Sequence, residues 1–514
     1  MSVLDTFDDI IVGAGSAGIP LAVRLSSDPG RRVALIEAGP DYRTPAETPQ
    51  DILDGNQMSL VDHDWRLTAD LLPDRTTRYF QGKVIGGASA VGNTIAIRGI
   101  PQDFDEWAAA GNSEWSWSKV LPHFLALEND LDYGGEFHSQ GGPVPIRRWR
   151  PEELTPAQQS FYDSCLAFGF PQVDDHNHPT STGVGPAPST RSDSRIRVST
   201  ASGYLPAARA RENLTILADT LVSRVLLDGE VVRGVEVVDG STTRELRASR
   251  VILAAGTVYT PSILLRSGIG PKDDLSRLGI EVRADLPGVG AGMSDQARTG
   301  VFLVPKPGAE NFGKAMGQIV VRAAAASTGR ENDMYYAMVN HFELANQFPH
   351  LSQAAQTGRV FSVLVVARQP NSRGRITLAS TDARVAPRID LNFLSNEKDY
   401  QLLADGLRVG WEVSQSPKLR DLAERIVLLD DKLIDSDDAV HDYINATVDP
   451  AYNPVGTARM GTDDMAVVDQ RCAVHGIDGL YVADASVMPT MVRANINLSV
   501  IMIGERVAEL LLNS

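Results

Sequence analysis

Three glycines spaced as Gly13-x-Gly15-x-x-Gly18 are the first residues of this chain with the means to do chemistry. The first glycine of such a run permits a tight turn, the second lets a pyrophosphate approach the backbone, and the third lets a helix pack closely on a strand. Free N–H groups and the positive dipole end at the helix start then hold the phosphates. Ser16 and Ala17 complete the turn, and Glu37 follows nineteen residues after Gly18, where an acid accepts hydrogen bonds from the adenosine ribose hydroxyls. This constellation predicts a site for the adenosine half of a dinucleotide. FAD and NAD share that half, so the turn does not choose between them.

Other residue types with chemical potential are scattered. Of nine histidines, His176 and His178 fall in the run Asp174 to Thr180 and read as a polar loop, not a metal pair. His475 sits in a turn between Val474 and Gly476 and reads as structural. His341, with Glu343, ends the alternating run Met334 to Leu344, one face of which would roof a cofactor; these two are candidate substrate contacts. No Ser-His-Asp order, zinc spacing or triphosphate loop is apparent, and no metal site is expected.

The elements that must position these residues are legible in outline. A short strand from about Asp9 to Val12 passes through the glycines into a helix, and a second strand runs from Arg32 to Ile36, which is a βαβ unit with a parallel pair. Pro20 is placed in or just after the first helical turn, where its missing N–H costs little. A further α/β stretch covers about Leu214 to Leu265, with a hairpin reading at Asp228-Gly229. It ends in the continuous apolar run Arg250 to Gly256, typical of a strand buried on both faces. Between Thr299 and Leu391 the pattern becomes β-rich and interrupted by Gly, Pro and Asn, which predicts a mostly antiparallel sheet. The C-terminus returns to strand, then helix, with Val500, Ile503, Val507 and Leu511 at helical spacing. The fold class is therefore α/β (α+β overall): a Rossmann-like lobe assembled from segments 1–150, 191–298 and 446–514, with a second lobe from 151–190 and 299–445 inserted.

Length and composition bound the reading. A chain of 514 residues exceeds what one hydrophobic core usually holds, and 43% apolar with 22% charged residues is ordinary for a soluble globular protein. A net charge of −17 argues against nucleic acid, which is bound by neutralising phosphates, and against anionic membranes. No run of eighteen apolar residues predicts a membrane span, the first residues carry no basic-then-apolar leader, and two cysteines far apart suit a reducing compartment. A cytoplasmic protein is expected.

Six ordered segments resemble the glucose–methanol–choline oxidoreductase family. Beyond the glycine turn they are Gly82 to Ser89 continuing through Arg98-Gly99 to Trp107; Gly256 to Pro261 with Ser267 to Gly270; Leu286 to Asp295; Ser372-Arg373-Gly374 with Pro387 to Asp390; and Pro454 to Gly461, Val482 to Ala485 and Asn495 to Glu505. The resemblance implies FAD rather than NAD, and oxidation of a small-molecule alcohol by hydride transfer to flavin N5, with oxygen or another acceptor reoxidising the flavin. It implies that Gly13, Gly15, Ser16, Ala17, Gly18, Glu37 and Ala38 hold the adenosine and diphosphate, and that Val84, Gly87, Gly92, Asn93, Thr94 and Ile95 run along the flavin. Val222 would present its backbone to adenine, Asp484 would bond the ribityl or phosphate region, and Ala255, Gly256, Ala485, Asn495 and Ile496 complete the cofactor set. The helix start near Asn497 and Leu498 would face the flavin pyrimidine with its positive dipole end. Relatives that tether FAD use a histidine where this chain has Val91, so non-covalent FAD is expected.

The chain departs from the family's motifs at several positions. Gln296 follows Asp295 where the family usually has His, and Asn453 precedes Pro454-Val455-Gly456-Thr457 where most members have the His that takes the substrate proton. Ala88, Val91 and the pair Gly92-Asn93 also differ from the usual pattern. The second catalytic position is Asn495. An amide donates and accepts hydrogen bonds but takes no proton near neutral pH. Three explanations stand: another base or a substrate that needs little base, a histidine replaced deliberately, or chemistry other than alcohol oxidation, such as the cyanohydrin cleavage of some FAD-containing relatives.

Overall fold

The computed structural model describes residues 6–513 apart from positions 194, 241, 312 and 348. Its first sheet begins with the predicted βαβ unit. Thr6–Val12 pairs in parallel with Val33–Ile36 on one side and with the end of Thr242–Leu253 on the other, and Leu214–Leu217 extends the sheet beyond Val33–Ile36. Val251, Ile252 and Leu253 are wholly buried, as a strand covered on both faces requires. The hairpin is present: Leu221–Asp228 and Val231–Asp239 pair antiparallel, with Gly229 at positive φ in the turn. Leu480–Val482, from near the C-terminus, pairs in parallel with the same Leu253 end, so the start, middle and end of the chain build one sheet.

Two helices pack together over this sheet. Gly18–Leu25 carries Pro20 in its first turn, as its missing N–H allows. The C-terminal helix, Asn497–Leu512, buries Val500, Ile503, Val507 and Leu511. It approaches so closely that a Cβ on Gly504 would meet the carbonyl of Ala17. Glu505, buried between them, accepts from Arg24 Nε at 2.6 Å and from the Tyr204 hydroxyl at 2.7 Å.

The second lobe is a seven-stranded sheet whose pairings are all antiparallel. Its order is Ala423–Val427, Ala297–Pro305, Arg359–Ala367, Met334–Glu343, Ile319–Ala323, Gly183–Pro186, with Asp449–Pro450 beside the start of Ala297–Pro305. Alternation divides its faces. Tyr336, Val363 and Val365 belong to a core that includes the helix Glu397–Ser414, where Gly406 lets the helix lie against Met334 and Val365. Tyr335, Ala337, Val320 and Val366 belong to the other core, on the side of the first lobe. A third, five-stranded sheet of Ala291–Met293, Gly374–Thr377, Arg388–Asp390, Leu67–Leu72 and Arg75–Tyr79 is absent from the sequence reading.

If the contact at Gly504 sets the helix spacing, Gly504→Ala forces the two helices apart. An overpacked core position of this kind costs about 1–3 kcal/mol. A lowered denaturant midpoint with an unchanged slope is the expected result, and an unchanged midpoint contradicts the packing argument.

Candidate active site

The glycine turn does three separate jobs. Gly13 adopts φ +102, and a Cβ there would meet the Ala254 carbonyl. A Cβ on Gly18 would strike the carbonyl of Gly13, so this glycine is a packing residue buried behind the turn. Gly15 instead faces open space: the nearest heavy atom to an added Cβ is Gly87 Cα at 3.9 Å. Ser16, Ala17, Glu37, Ala38 and Val222 line the same cavity. Glu37 accepts from the N–H of Ala14 at 3.0 Å and of Gly39 at 2.9 Å, and burial pushes its carboxyl up to about 7.

From this turn one cavity runs on to the antiparallel sheet. Gly87, Gly92, Asn93, Thr94 and Ile95 form one wall, and Ala255, Gly256, Asp484 and Ala485 another. Asp484 accepts from the Gly256 N–H at 2.9 Å and the Thr260 hydroxyl at 2.6 Å. Asn495 and Ile496 also line it, immediately before the helix Asn497–Leu512, and Ser16 Oγ donates to Asn497 Oδ1 at 2.7 Å. Val84 does not line the cavity; it packs with Ile52, Ala90 and Val91 in a small apolar cluster.

Asn453 and Asn495 come together at the far end, beside Tyr335, Val366 and Arg368. The two amides do not hydrogen-bond each other; Gln296 and Arg368 bridge them. Arg368 Nη1 donates to Gln296 Oε1 at 2.7 Å, and Nη2 donates to Asn495 Oδ1 at 3.1 Å. Asn453 Nδ2 donates to the same Gln296 oxygen at 3.0 Å and to the Ala451 carbonyl at 3.2 Å. Gln296 Nε2 donates to the Ala494 carbonyl at 3.0 Å. These bonds fix every amide by its partners: Asn453 is left with Oδ1 as an acceptor and Asn495 with Nδ2 as a donor. Behind them the wholly buried Asp295 accepts from the backbone N–H of Asn453 at 2.8 Å and the hydroxyl of Tyr79 at 2.6 Å, and burial raises its carboxyl to about 7.

Several expectations require correction. His341 and Glu343 do not line the cavity. Tyr335 and Ala337 do, but the pairing register shifts between Val339 and Phe342, which breaks the alternation before His341 is reached. His341 Nε2 lies 3.4 Å from the Lys314 carbonyl, and Glu343 accepts from Arg359 Nε at 2.9 Å near the surface. His176 is not in a solvated loop: it is fully buried, and burial pushes its imidazole down to about 3. Among the described residues, Glu128, Asp130 and His138 lie close enough for a metal, yet Arg98 bonds Glu128 and Arg148 bonds Asp130. Guanidiniums thus stand where a cation would. Gln296, Arg368 and Tyr335 were missed as site residues, although Arg368 continues the alternation of Leu364 and Val366 as a lone charge after an apolar strand.

Comparison with known proteins decides the family. Models of the GMC oxidoreductase N- and C-terminal regions match residues 7–298 and 370–504. The chain belongs to the GMC oxidoreductase family. It is 35% identical to the 5-(hydroxymethyl)furfural oxidase of a Methylovorus species, over 98% of this chain and 98% of the relative. It is 34% identical to an oxygen-dependent choline dehydrogenase of Pectobacterium atrosepticum, over 98% and 94%. The solved pyridoxine 4-oxidase from Mesorbium loti superposes with a TM-score of 0.90 at 30% identity, covering 99% of both chains. The chain is a GMC-type, FAD-dependent alcohol oxidoreductase with a Rossmann-like FAD-binding fold.

The residues present fit that cofactor. Gly15 and Gly87 leave a bare backbone cradle at the helix start, Glu37 stands at the end of its strand, and Gly256 at φ +81 has no heavy atom within reach of an added Cβ. A Cβ at Gly15 clears the backbone, so replacing Gly15 by Val puts its branched side chain into the cradle. The expected outcome is a folded apoprotein that no longer retains FAD, read as the flavin absorbance per chain after gel filtration; full flavin content would contradict the cradle.

Proposed function

We propose that this enzyme oxidises the carbinol group of a small alcohol held between Asn453 and Asn495, with non-covalent FAD in the cavity and oxygen or another acceptor taking the electrons onward. Bound FAD supplies a hydride acceptor at its N5. The observation that carries the reading is the amide pair, one acceptor and one donor, at the end of a cavity that begins on the dinucleotide turn. A hydroxyl needs that complement: Asn453 Oδ1 accepts its O–H, and Asn495 Nδ2 donates to its oxygen. Orientation of this kind is where such a site gains rate. Neither amide takes the proton, which passes to water as the C–H bond is broken.

The absence of histidine at Asn453 and Gln296 has a physical reason in this reading. Arg368 is a buried guanidinium hydrogen-bonded to Gln296, which in turn bonds Asn453. An imidazole that gained a proton there would become a second cation beside the first, which the low-dielectric interior disfavours. Neutral amides keep the geometry without the second charge. Val91, which lines the cavity where tethering relatives have a histidine, offers no nucleophile, which supports non-covalent binding. The relatives named above are called after choline, 5-(hydroxymethyl)furfural and pyridoxine, which supports a small alcohol as substrate class.

Anaerobic mixing with a panel of alcohols tests the reading. Loss of the yellow flavin absorbance by at least one alcohol is expected, with all colour released to the supernatant on acid precipitation. Turnover of a ligand while the enzyme stays yellow would place it with the lyases, and colour held in the pellet would refute the non-covalent assignment.

A further inference from the structure

The cavity ends on a charge that hydroxyl orientation alone does not use. Arg368 is 2% exposed, lines the cavity, and carries its guanidinium 3.9 Å from the centre of the Tyr335 ring. Among the described residues its side-chain acceptors are two neutral amide oxygens, on Gln296 and Asn495. Among the described residues no carboxylate lies within ion-pair distance of it, while burial lowers its pKa only to about 10, so it is charged at neutral pH. A buried charge without a counter-charge is costly and is retained where something charged comes to meet it.

The surroundings specify the sign and the position. Arg322, the cross-strand partner of Tyr335, is also buried, and among the described residues its Nε and Nη2 have no hydrogen-bond partner. Asp103, Glu331 and Asp175 balance its charge, however, and it stays behind the cavity wall, so Arg368 alone sets the sign there. The carboxylates that line the cavity are engaged elsewhere: Glu37 by Ala14 and Gly39, Asp64 by Arg66 and Gln81, Asp484 by Gly256, Thr260 and Ser486. The cavity end is therefore positive, which repels a cationic alcohol and attracts an anion. A guanidinium has five N–H donors in a planar fork, and the two amide bonds use one on each terminal nitrogen, which leaves donors for a carboxylate. The ring of Tyr335 supports the plane of the fork, as arginine stacking on an aromatic face does.

We propose that Arg368 binds a carboxylate carried by the substrate, so that the preferred substrates are small hydroxy-carboxylates whose carbinol lies between Asn453 and Asn495. This rests on the alcohol-oxidation reading for the reaction but not for the binding. In the reaction the carbinol carbon loses a hydride, which with its electron pair passes to FAD. The hydroxyl loses a proton to water, an oxo-carboxylate forms, and the carboxylate on Arg368 is unchanged. The short link from Arg368 through Asn495 favours acids whose carboxylate lies near the reacting carbon.

Titration of the FAD-loaded enzyme by flavin absorbance tests the binding without any turnover, using acetate and benzoate against acetamide and benzamide. At least one acid should bind more tightly than its amide by about 10²-fold, the loss typical when one partner of a buried charge pair is removed. Arg368→Gln should erase that gap and Arg368→Lys should keep part of it; if the glutamine variant fails to retain flavin, the wild-type and lysine ratios decide. In anaerobic flavin reduction, glycolate or mandelate should exceed its amide in kcat/KM by a similar factor. Amides that bind as tightly as acids, or a gap that survives Arg368→Gln, would overturn the inference. Acid binding that depends on Arg368, with no alcohol reducing the flavin, would sustain the anion site and overturn the alcohol reading instead.

Discussion

A guanidinium held in the interior without a counter-charge is the constraint around which the reactive end of this enzyme is arranged. Taking the charge of Arg368 out of water is expensive, and the interior returns the cost through hydrogen bonds to Gln296 and Asn495 and through the face of Tyr335. Those bonds do more than satisfy the charge. They force the oxygen of Gln296 toward the arginine, which turns that oxygen to Asn453 Nδ2 as well, and they take the oxygen of Asn495. The rotamers and amide orientations of three neutral residues are thereby set by one cation, so the polar network is fully connected, which is what makes a buried one specific.

The lobes deliver this arrangement from opposite sides. Arg368 follows directly on the strand Arg359–Ala367, and Gln296 immediately precedes the strand Ala297–Pro305, its antiparallel neighbour. Asn495 comes from the segment that enters the C-terminal helix, which in turn is clamped to the dinucleotide helix through Gly504 and Glu505. Asp295 holds the backbone of both Gln296 and Asn453, with Tyr79 of the five-stranded sheet on its other oxygen. Cofactor cradle and reactive amides are thus coupled by rigid elements, not by loops alone. Glu37 thus lies at the cradle end of the cavity and Arg368 at the amide pair.

What could be read from the sequence follows the range of the forces involved. The glycine turn, Glu37, the parallel strands and the C-terminal helix are encoded by neighbours within a few dozen residues, and each stands where its pattern put it. The two asparagines were found through resemblance; both line the cavity, joined through Gln296 and Arg368. Arg368 and Gln296 were passed over because their meaning lies in a contact across 72 residues of sequence, and a lone charge after an apolar strand looks like a strand end. His341 and Glu343 were misplaced because period-two alternation says nothing of a bulge. His176 looked solvated in a polar run, whereas tertiary packing buries it. The five-stranded sheet joins segments from three distant stretches, and no local pattern announces such a pairing.

Gln296 transmits the order imposed by Arg368 to the amide of Asn453. A double-mutant cycle with Gln296→Met and Asn453→Ala, read as the rate of anaerobic flavin reduction at saturating alcohol, measures that coupling directly. Residues in one hydrogen-bond network show interaction energies of about 0.5–3 kcal/mol, so the second substitution should cost markedly less once the first is present. Effects that add to within about 0.3–0.5 kcal/mol would mean that the two side chains act independently, and would contradict the account.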